Sequence, residues 1–152
     1  MFIRTKLLDG VLQTLSALYT AFAVNITTFK RLIINLRKLY PKHQFLILST
    51  SKKDEINLLK DFTKIDKNLT IIPYHDAIDS NLAVIKNADA VITADTYVVH
   101  AACAWNVPVL ALYSIHAARD NHHIIFGPNS ERYAQIIPSK KGIEAISIKD
   151  TL

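Results

Sequence analysis

Short apolar runs alternate along this chain with stretches of helical periodicity. "SALYTAFAV" (Ser16 to Val24), "QFLIL" (Gln44 to Leu48), "LTIIP" (Leu69 to Pro73), "DAVIT" (Asp89 to Thr93), "VPVLALY" (Val107 to Tyr113) and "AQIIP" (Ala134 to Pro138) read as strands. Between them, Thr28 to Leu39 sets Phe29, Leu32, Ile33 and Leu36 on one helical face, and Pro41 stops it. Further helices are expected over Lys53 to Phe62, over Asp79 to Asn87 with Ser80 as a candidate cap, and over Thr96 to Trp105. Strands alternating with helices of this length build βαβ units, and continuously apolar strands are buried on both faces. The expected fold class is α/β: a Rossmann-like parallel sheet over residues 16–152 with helices on both faces. Ligands of such sheets bind beyond the carboxyl ends of the strands. That directs attention to Asn25–Thr28, Ser49–Lys53, Tyr74–Ser80 and Ala94–Thr96.

The first fifteen residues are a separate question. Arg4 and Lys6 precede Leu7, Leu8, Val11, Leu12 and Leu15, and Ala21-Phe22-Ala23 has the shape of a signal cleavage site. Asp9 and Gln13 interrupt the apolar stretch, however, and the spacing is that of an amphipathic helix, so residues 1–15 are read as an N-terminal helix and the location as cytoplasmic. No apolar run reaches the roughly 18 residues that a membrane span needs.

Composition narrows the chemistry. One cysteine, Cys103, excludes an internal disulfide and any zinc site built from several cysteines, and it suits a reducing compartment. The net charge of +5 is unevenly spread: residues 1–43 hold seven Lys/Arg against one acid, Asp9, while residues 44–152 hold eleven against twelve. A basic first third fits an anionic membrane surface, giving peripheral contact with an inner membrane, or a phosphorylated acceptor; it equally fits a solvated helix surface. Basic residues are not interleaved with aromatics, so nucleic acid is not an expected partner.

The stretch "ITADTYVVHAACAWNVPVLALYS", Ile92 to Ser114, carries the densest candidate chemistry. Ala94-Asp95-Thr96 falls where a strand ends and a helix begins, and the free N–H groups of a helix start favour an anion such as phosphate. Asp95 is expected to cap that helix; the Thr96 hydroxyl and the N–H groups of Thr96 and Tyr97 are then the phosphate donors, with His100 one turn further along. From spacing alone, a capped helix with a histidine hydrogen-bonded in the core is the simpler account. Ser49 and Thr50, with Lys52 and Lys53, form a polar loop after a strand that suits a nucleotide contact or a helix cap. His116, His122 and His123 read as a polar surface loop, with no cysteine among them, and no metal is assigned. Asp76 and Asp79 read as caps for the Asp79 helix, Cys103 as a packed small hydrophobe and Trp105 as structural.

"ADAVITADTYVVHAACAWNVPVLALYS" resembles the signature of glycosyltransferase family 9, the bacterial heptosyltransferases of lipopolysaccharide core synthesis. Asp95, Thr96, His100, Ala101, Ala104 and Pro108 fall on matching positions, and "FGPNSERYAQII" resembles the family's Gly-Pro followed by a strand. The resemblance is good over Leu69 to Ile137 and looser over Phe29 to Phe62. It implies the C-terminal, donor-binding half of a GT-B glycosyltransferase, which binds a nucleotide-sugar such as ADP-heptose with no obligatory metal or cofactor. Transfer to a lipopolysaccharide-core acceptor would need the other half, of which residues 1–15 would be a remnant. The donor-binding residues it implies are Asp95, Thr96, Tyr97, His100, Ser49 and Thr50; it assigns no catalytic residue. The chain departs from the pattern at two glycines: Tyr97 follows Asp-Thr, where it is expected to crowd a phosphate, and Ser114 follows the next strand.

Overall fold

In a computed structural model the described residues are 14–18, 26–48, 69–73 and 78–137, with Asn57, Lys60, Lys64, Asp66 and Asn68 between them. Six strands and five helices follow in chain order: β1 Thr14–Leu18, α1 Ile26–Leu39, β2 Gln44–Leu48, β3 Leu69–Ile72, α2 Ile78–Lys86, β4 Ala90–Ala94, α3 Tyr97–Ala104, β5 Val109–Leu112, α4 Ile115–Arg119, α5 His122–Ile125 and β6 Tyr133–Ile136. The strands form one sheet in the order β3-β2-β1-β4-β5-β6, and every pairing is parallel. This is the order of doubly wound dinucleotide folds, with the topological switch between β1 and β4.

Residue pattern explains the two layers. Along β4, Ile92 and Ala94 pack under α1 with Leu32, Ile33, Leu36, Phe45, Ile47 and Leu69. Val91, next to Ile92 along the strand, packs on the other face with Ile85 of α2 and Val98, Ala101 and Ala102 of α3. Successive strand residues point to opposite faces, so a strand that serves two layers must be apolar throughout. The expected α/β class is therefore observed. Strand order dictates which helices share a layer: β1 to β2 steps one way across the sheet and β4 to β5 the other, so crossovers of one hand put α1 and α3 on opposite faces.

Local signals end the elements. The Trp105 cap of α3 is followed by Asn106 in the left-handed region, φ 52°. The Asn106 N–H donates to the Cys103 carbonyl (3.0 Å) and the Val107 N–H to the Ala102 carbonyl (2.9 Å), a Schellman ending with asparagine at the position usually held by glycine. Pro108 then leads into β5. At the opposite edge of the sheet Arg37 is a hub. It pairs with the Asp66 carboxylate, donates to the carbonyls of Tyr40, Pro41 and His43, and lies 5.3 Å from the Phe45 ring centre. One side chain thereby joins the end of α1, the turn into β2 and the residues before β3.

Several boundaries differ from expectation. β1 begins at Thr14 rather than Ser16 and is described to Leu18; Leu15 thus lies in a strand, not in an N-terminal helix. α2 starts at Ile78, so Asp79 and Ser80 sit inside its first turn instead of capping it. The loop "SIHAARDNHHIIF" holds two short helices, α4 and α5, that apolar periodicity did not signal. The helix expected over Lys53 to Phe62 lies largely outside the described residues, as do Asp76, residues 1–13 and residues 19–25, which include most of the expected strand Ser16 to Val24. No helix among the described residues is long and apolar enough to cross a membrane.

Phe45 is fully buried at the centre of the α1 layer and carries the Arg37 guanidinium on its ring. Phe45→Ala is expected to cost about 3–5 kcal/mol, because the cavity adds to the lost transfer energy. Urea unfolding followed by circular dichroism measures it.

Candidate functional site at the carboxyl edge of the sheet

β4 ends in Thr93-Ala94 and hands the chain to Asp95-Thr96 beside the topological switch. Thr96, not Asp95, caps α3. Its backbone is extended (φ −146°, ψ 173°), and its hydroxyl accepts from the Val98 N–H at 3.3 Å. The expected cap, Asp95, instead reaches across to α5, where its carboxylate lies 3.0 Å from His122 Nδ1. Thr96 supplies the cap, which leaves the Asp95 carboxylate to meet His122. A half-exposed pair of this kind is worth up to about 1 kcal/mol. It closes the α4–α5 segment onto the end of β4.

Beneath the cap lies a hydroxyl relay. Thr93 is buried, and its Oγ1 sits 3.1 Å from Thr96 Oγ1 and 3.1 Å from the Ala94 carbonyl. Thr93 has one proton to give. If it goes to the Ala94 carbonyl, Thr96 must donate to Thr93 and has no proton left for a ligand. If Thr93 swings it to Thr96, the Thr96 proton is released toward the loop. The Val98 and Val99 N–H groups are taken by Thr96 Oγ1 and the Thr96 carbonyl. That leaves the Tyr97 N–H as the donor of the first turn that faces outward.

The remaining expected residues divide. Tyr97 and His100 lie on the exposed side of α3, while Val98, Val99, Ala101 and Ala102 face the core. His100 is therefore not a core histidine. Tyr97 does not fold over the loop: its hydroxyl lies 3.1 Å from Asn81 Nδ2, which joins the first turns of α2 and α3. Ser49 and Thr50 lie outside the described residues. Cys103 packs with the apolar residues of the α3 layer, as expected of a small hydrophobe, and Trp105, 38% exposed, carries Lys86 Nζ at 5.9 Å from its ring centre. Ser114, in the place of a glycine, caps α4 by accepting from the Ala117 N–H at 3.1 Å.

Sequence spacing did not reveal the contribution of the loop after β5. Tyr113, the residue after β5, is fully buried, with its ring edge-on to His123 at 6.2 Å. Gly127 lets this loop close, because a Cβ there would meet the His123 carbonyl oxygen at 2.3 Å and Gln135 Nε2 at 2.7 Å. Gln135 in β6 donates to that same carbonyl at 2.9 Å. Burial pushes the Tyr113 phenol above its ordinary pKa, and the Asp95 carboxylate pushes it further; the nearby Gln135 amide offsets part of the rise, although the phenol oxygen completes no hydrogen bond. Among the described residues, no three His, Cys, Asp or Glu side chains converge as a metal site would require.

A strand end, a hydroxyl-capped helix start and an outward N–H beside a topological switch form a place for an oxyanion. The model of glycosyltransferase family 9 (heptosyltransferase) matches residues 35–142. The chain belongs to glycosyltransferase family 9. Solved structures agree with this family in fold. Escherichia coli heptosyltransferase WaaC with ADP superposes with a TM-score of 0.75 at 12% identity, covering 94% of this chain and 43% of that one. E. coli ADP-heptose LPS heptosyltransferase II gives 0.72 at 17% identity, covering 95% and 45%. The family 9 glycosyl transferase of Veillonella parvula gives 0.66 at 15%, covering 90% and 43%. The family 9 chain described here thus spans under half the length of these relatives. No curated protein matches it.

The Tyr113 phenol supplies a pH test. The folded chain keeps this proton at pH values where the unfolded chain loses it. The resulting stability is present in full below about pH 10 and is lost as pH rises from there through the folded value. Tyr113→Phe is expected to flatten this alkaline loss, and Asp95→Asn to reduce it, because a lower folded value ends the loss at a lower pH while its onset stays at the unfolded value; urea midpoints measured across the alkaline range show both.

Proposed function

We propose that this chain is the donor-binding half of a heptosyltransferase-like glycosyltransferase. It holds a nucleoside-diphosphate sugar of the ADP-heptose type against the loop Ala94–Tyr97, for transfer to a lipopolysaccharide-core acceptor. The observation that carries this reading is the placement of the Asp95-Thr96 helix start, with its hydroxyl relay and outward N–H, at the carboxyl edge beside the switch point of a family 9 sheet. One relative supports it: E. coli WaaC is described in one structure with ADP and in another with ADP-2-deoxy-2-fluoro heptose.

The chemistry follows from what the loop offers. Inverting displacement at the anomeric carbon leaves a nucleoside diphosphate, whose growing charge needs donors already in place. The Tyr97 N–H is fixed by the helix, and the Thr96 proton becomes available when Thr93 turns its own toward Thr96. The N-terminal end of α3 adds a partial positive charge. His100, exposed one turn along, is placed to donate to a phosphate or a sugar hydroxyl. No general base is assigned. That role belongs to the wall carrying the acceptor, which the matched part of the relatives leaves to the rest of their length.

A second reading, a module that binds a nucleotide or a partner without catalysis, has one observation in its favour: Tyr97 stands where the family has glycine and is tied to Asn81. Titration calorimetry separates the two. ADP is expected to bind the chain weakly. Thr96→Ala is expected to abolish the heat while lowering stability by about 1 kcal/mol, the usual worth of a cap. An absence of heat with any nucleoside diphosphate at millimolar ligand would refute the donor-site reading.

Tyr97→Gly gives the steric test. It removes the Asn81 contact and costs up to about 1 kcal/mol of helix stability, yet it is expected to tighten diphosphate binding by freeing the approach to the helix N–H groups. Equal or weaker binding by the folded variant would show that Tyr97 is no obstruction. In a radiolabelled ADP-heptose assay, the chain alone is expected to transfer no sugar.

A further inference from the structure

The outer face of α1 has a composition that folding does not require. No acidic residue occurs between Asp9 and Asp54, a span holding Lys30, Arg31, Arg37, Lys38, Lys42, Lys52 and Lys53. Leu32, Ile33 and Leu36 turn inward and are buried. Lys30, Arg31, Ile34 and Lys38 are exposed, and Lys42 is exposed just beyond the helix. By helical geometry Ile34 sits among Lys30, Arg31, Arg37 and Lys38, at i−4, i−3, i+3 and i+4. Arg37 turns aside to Asp66, but among the described residues Lys30, Arg31, Lys38 and Lys42 have no carboxylate partner. Ile34 and Leu39 remain 41% and 54% exposed.

A surface helix built for solubility alone intersperses both signs, because like charges on one face repel. Among the described residues no carboxylate relieves the repulsion on this face, and the exposed Ile34 lies among the cations. That combination matches an anionic interface that takes up apolar groups. A polyanion in water would reward the lysines but not Ile34. A lipid headgroup layer rewards both, the cations by attraction to its surface charge and the isoleucine by burial at the acyl boundary.

We propose that the outer face of α1 docks this chain on an anionic phospholipid membrane. α1 covers the face of the sheet opposite α2 and α3, so the carboxyl-edge loops and the α3 layer stay in water when α1 lies on lipid. The proposal does not depend on the donor site.

Vesicle sedimentation tests it, with phosphatidylcholine–phosphatidylglycerol vesicles compared with phosphatidylcholine alone. Binding is expected only to the anionic vesicles and is expected to fall with salt. Each cation removed is expected to weaken partitioning about fivefold, so Lys30→Gln/Arg31→Gln/Lys38→Gln should lose roughly a hundredfold. The triple variant Lys86→Gln/Arg119→Gln/Arg132→Gln, outside α1 and with Lys86 on α2 across the sheet from it, removes the same charge and is expected to bind as the parent does. Ile34→Trp in a Trp105→Phe background is expected to show a blue-shifted emission on anionic vesicles; Trp105 is the chain's own tryptophan. Equal losses in the two charge variants would reduce the effect to net charge and overturn the proposal. So would an unshifted Ile34→Trp emission, or displacement of the chain from vesicles by a soluble RNA at equal charge concentration.

Discussion

β4 is paired on both sides, by β1 and β5, and packed on both faces, so all but its last residues must be apolar or self-satisfied. Polar chemistry can enter only where the strand leaves the sheet. Thr93 is the limiting case: a buried hydroxyl tolerated because a carbonyl and a second hydroxyl lie within reach. The rest of the site depends on that exit. The cap of α3 and the reach of Asp95 to α5 both start from the two residues, Asp95 and Thr96, that β4 releases. Functional groups collect at this edge because burial excludes them elsewhere.

The two ends of the sheet are built differently. At the amino ends of the strands, Arg37 gathers three carbonyls, a carboxylate and an aromatic ring, which fixes α1, β2 and the approach to β3 together. At the carboxyl ends, the joints are single contacts between half-exposed partners, Asp95 with His122 and Tyr97 with Asn81. Such joints open at low cost. A donor that must enter, react and leave as diphosphate is better served by the second kind of edge than by the first.

Much of the fold was legible because continuous apolar runs such as "QFLIL" and "VLAL" carry the burial of both faces in one dimension. The helix start at Asp95-Thr96 was legible for the same reason, since a polar pair between two such runs has few places to go. The choice of Thr96 over Asp95 as cap was not legible. It depends on His122, 27 residues away, and no local spacing reports a contact made across a crossover. The histidines of "DNHH" were visible as a cluster, but their role depended on a carboxylate in another element. α4 and α5, at five and four residues, are too short to show a period and are set by caps and packing. Tyr97 was expected to crowd the loop; its attachment to Asn81 needs the packing of α2 on α3, which periodicity alone does not give.

Gly127 ties the loop after β5 to the long-term fate of the sequence. Around it, Ile124 and Ile125 are exposed and free to drift, while Phe126 sets its ring edge-on to His122 at 5.3 Å and at 127 even a single methyl group would wedge the His123 carbonyl away from Gln135. Substitution there would lift the cover from Tyr113 without touching the proposed donor loop. Mutational tolerance in this region therefore runs against intuition: the two conspicuous isoleucines can be exchanged, and the position with no side chain at all is the one that descent must keep.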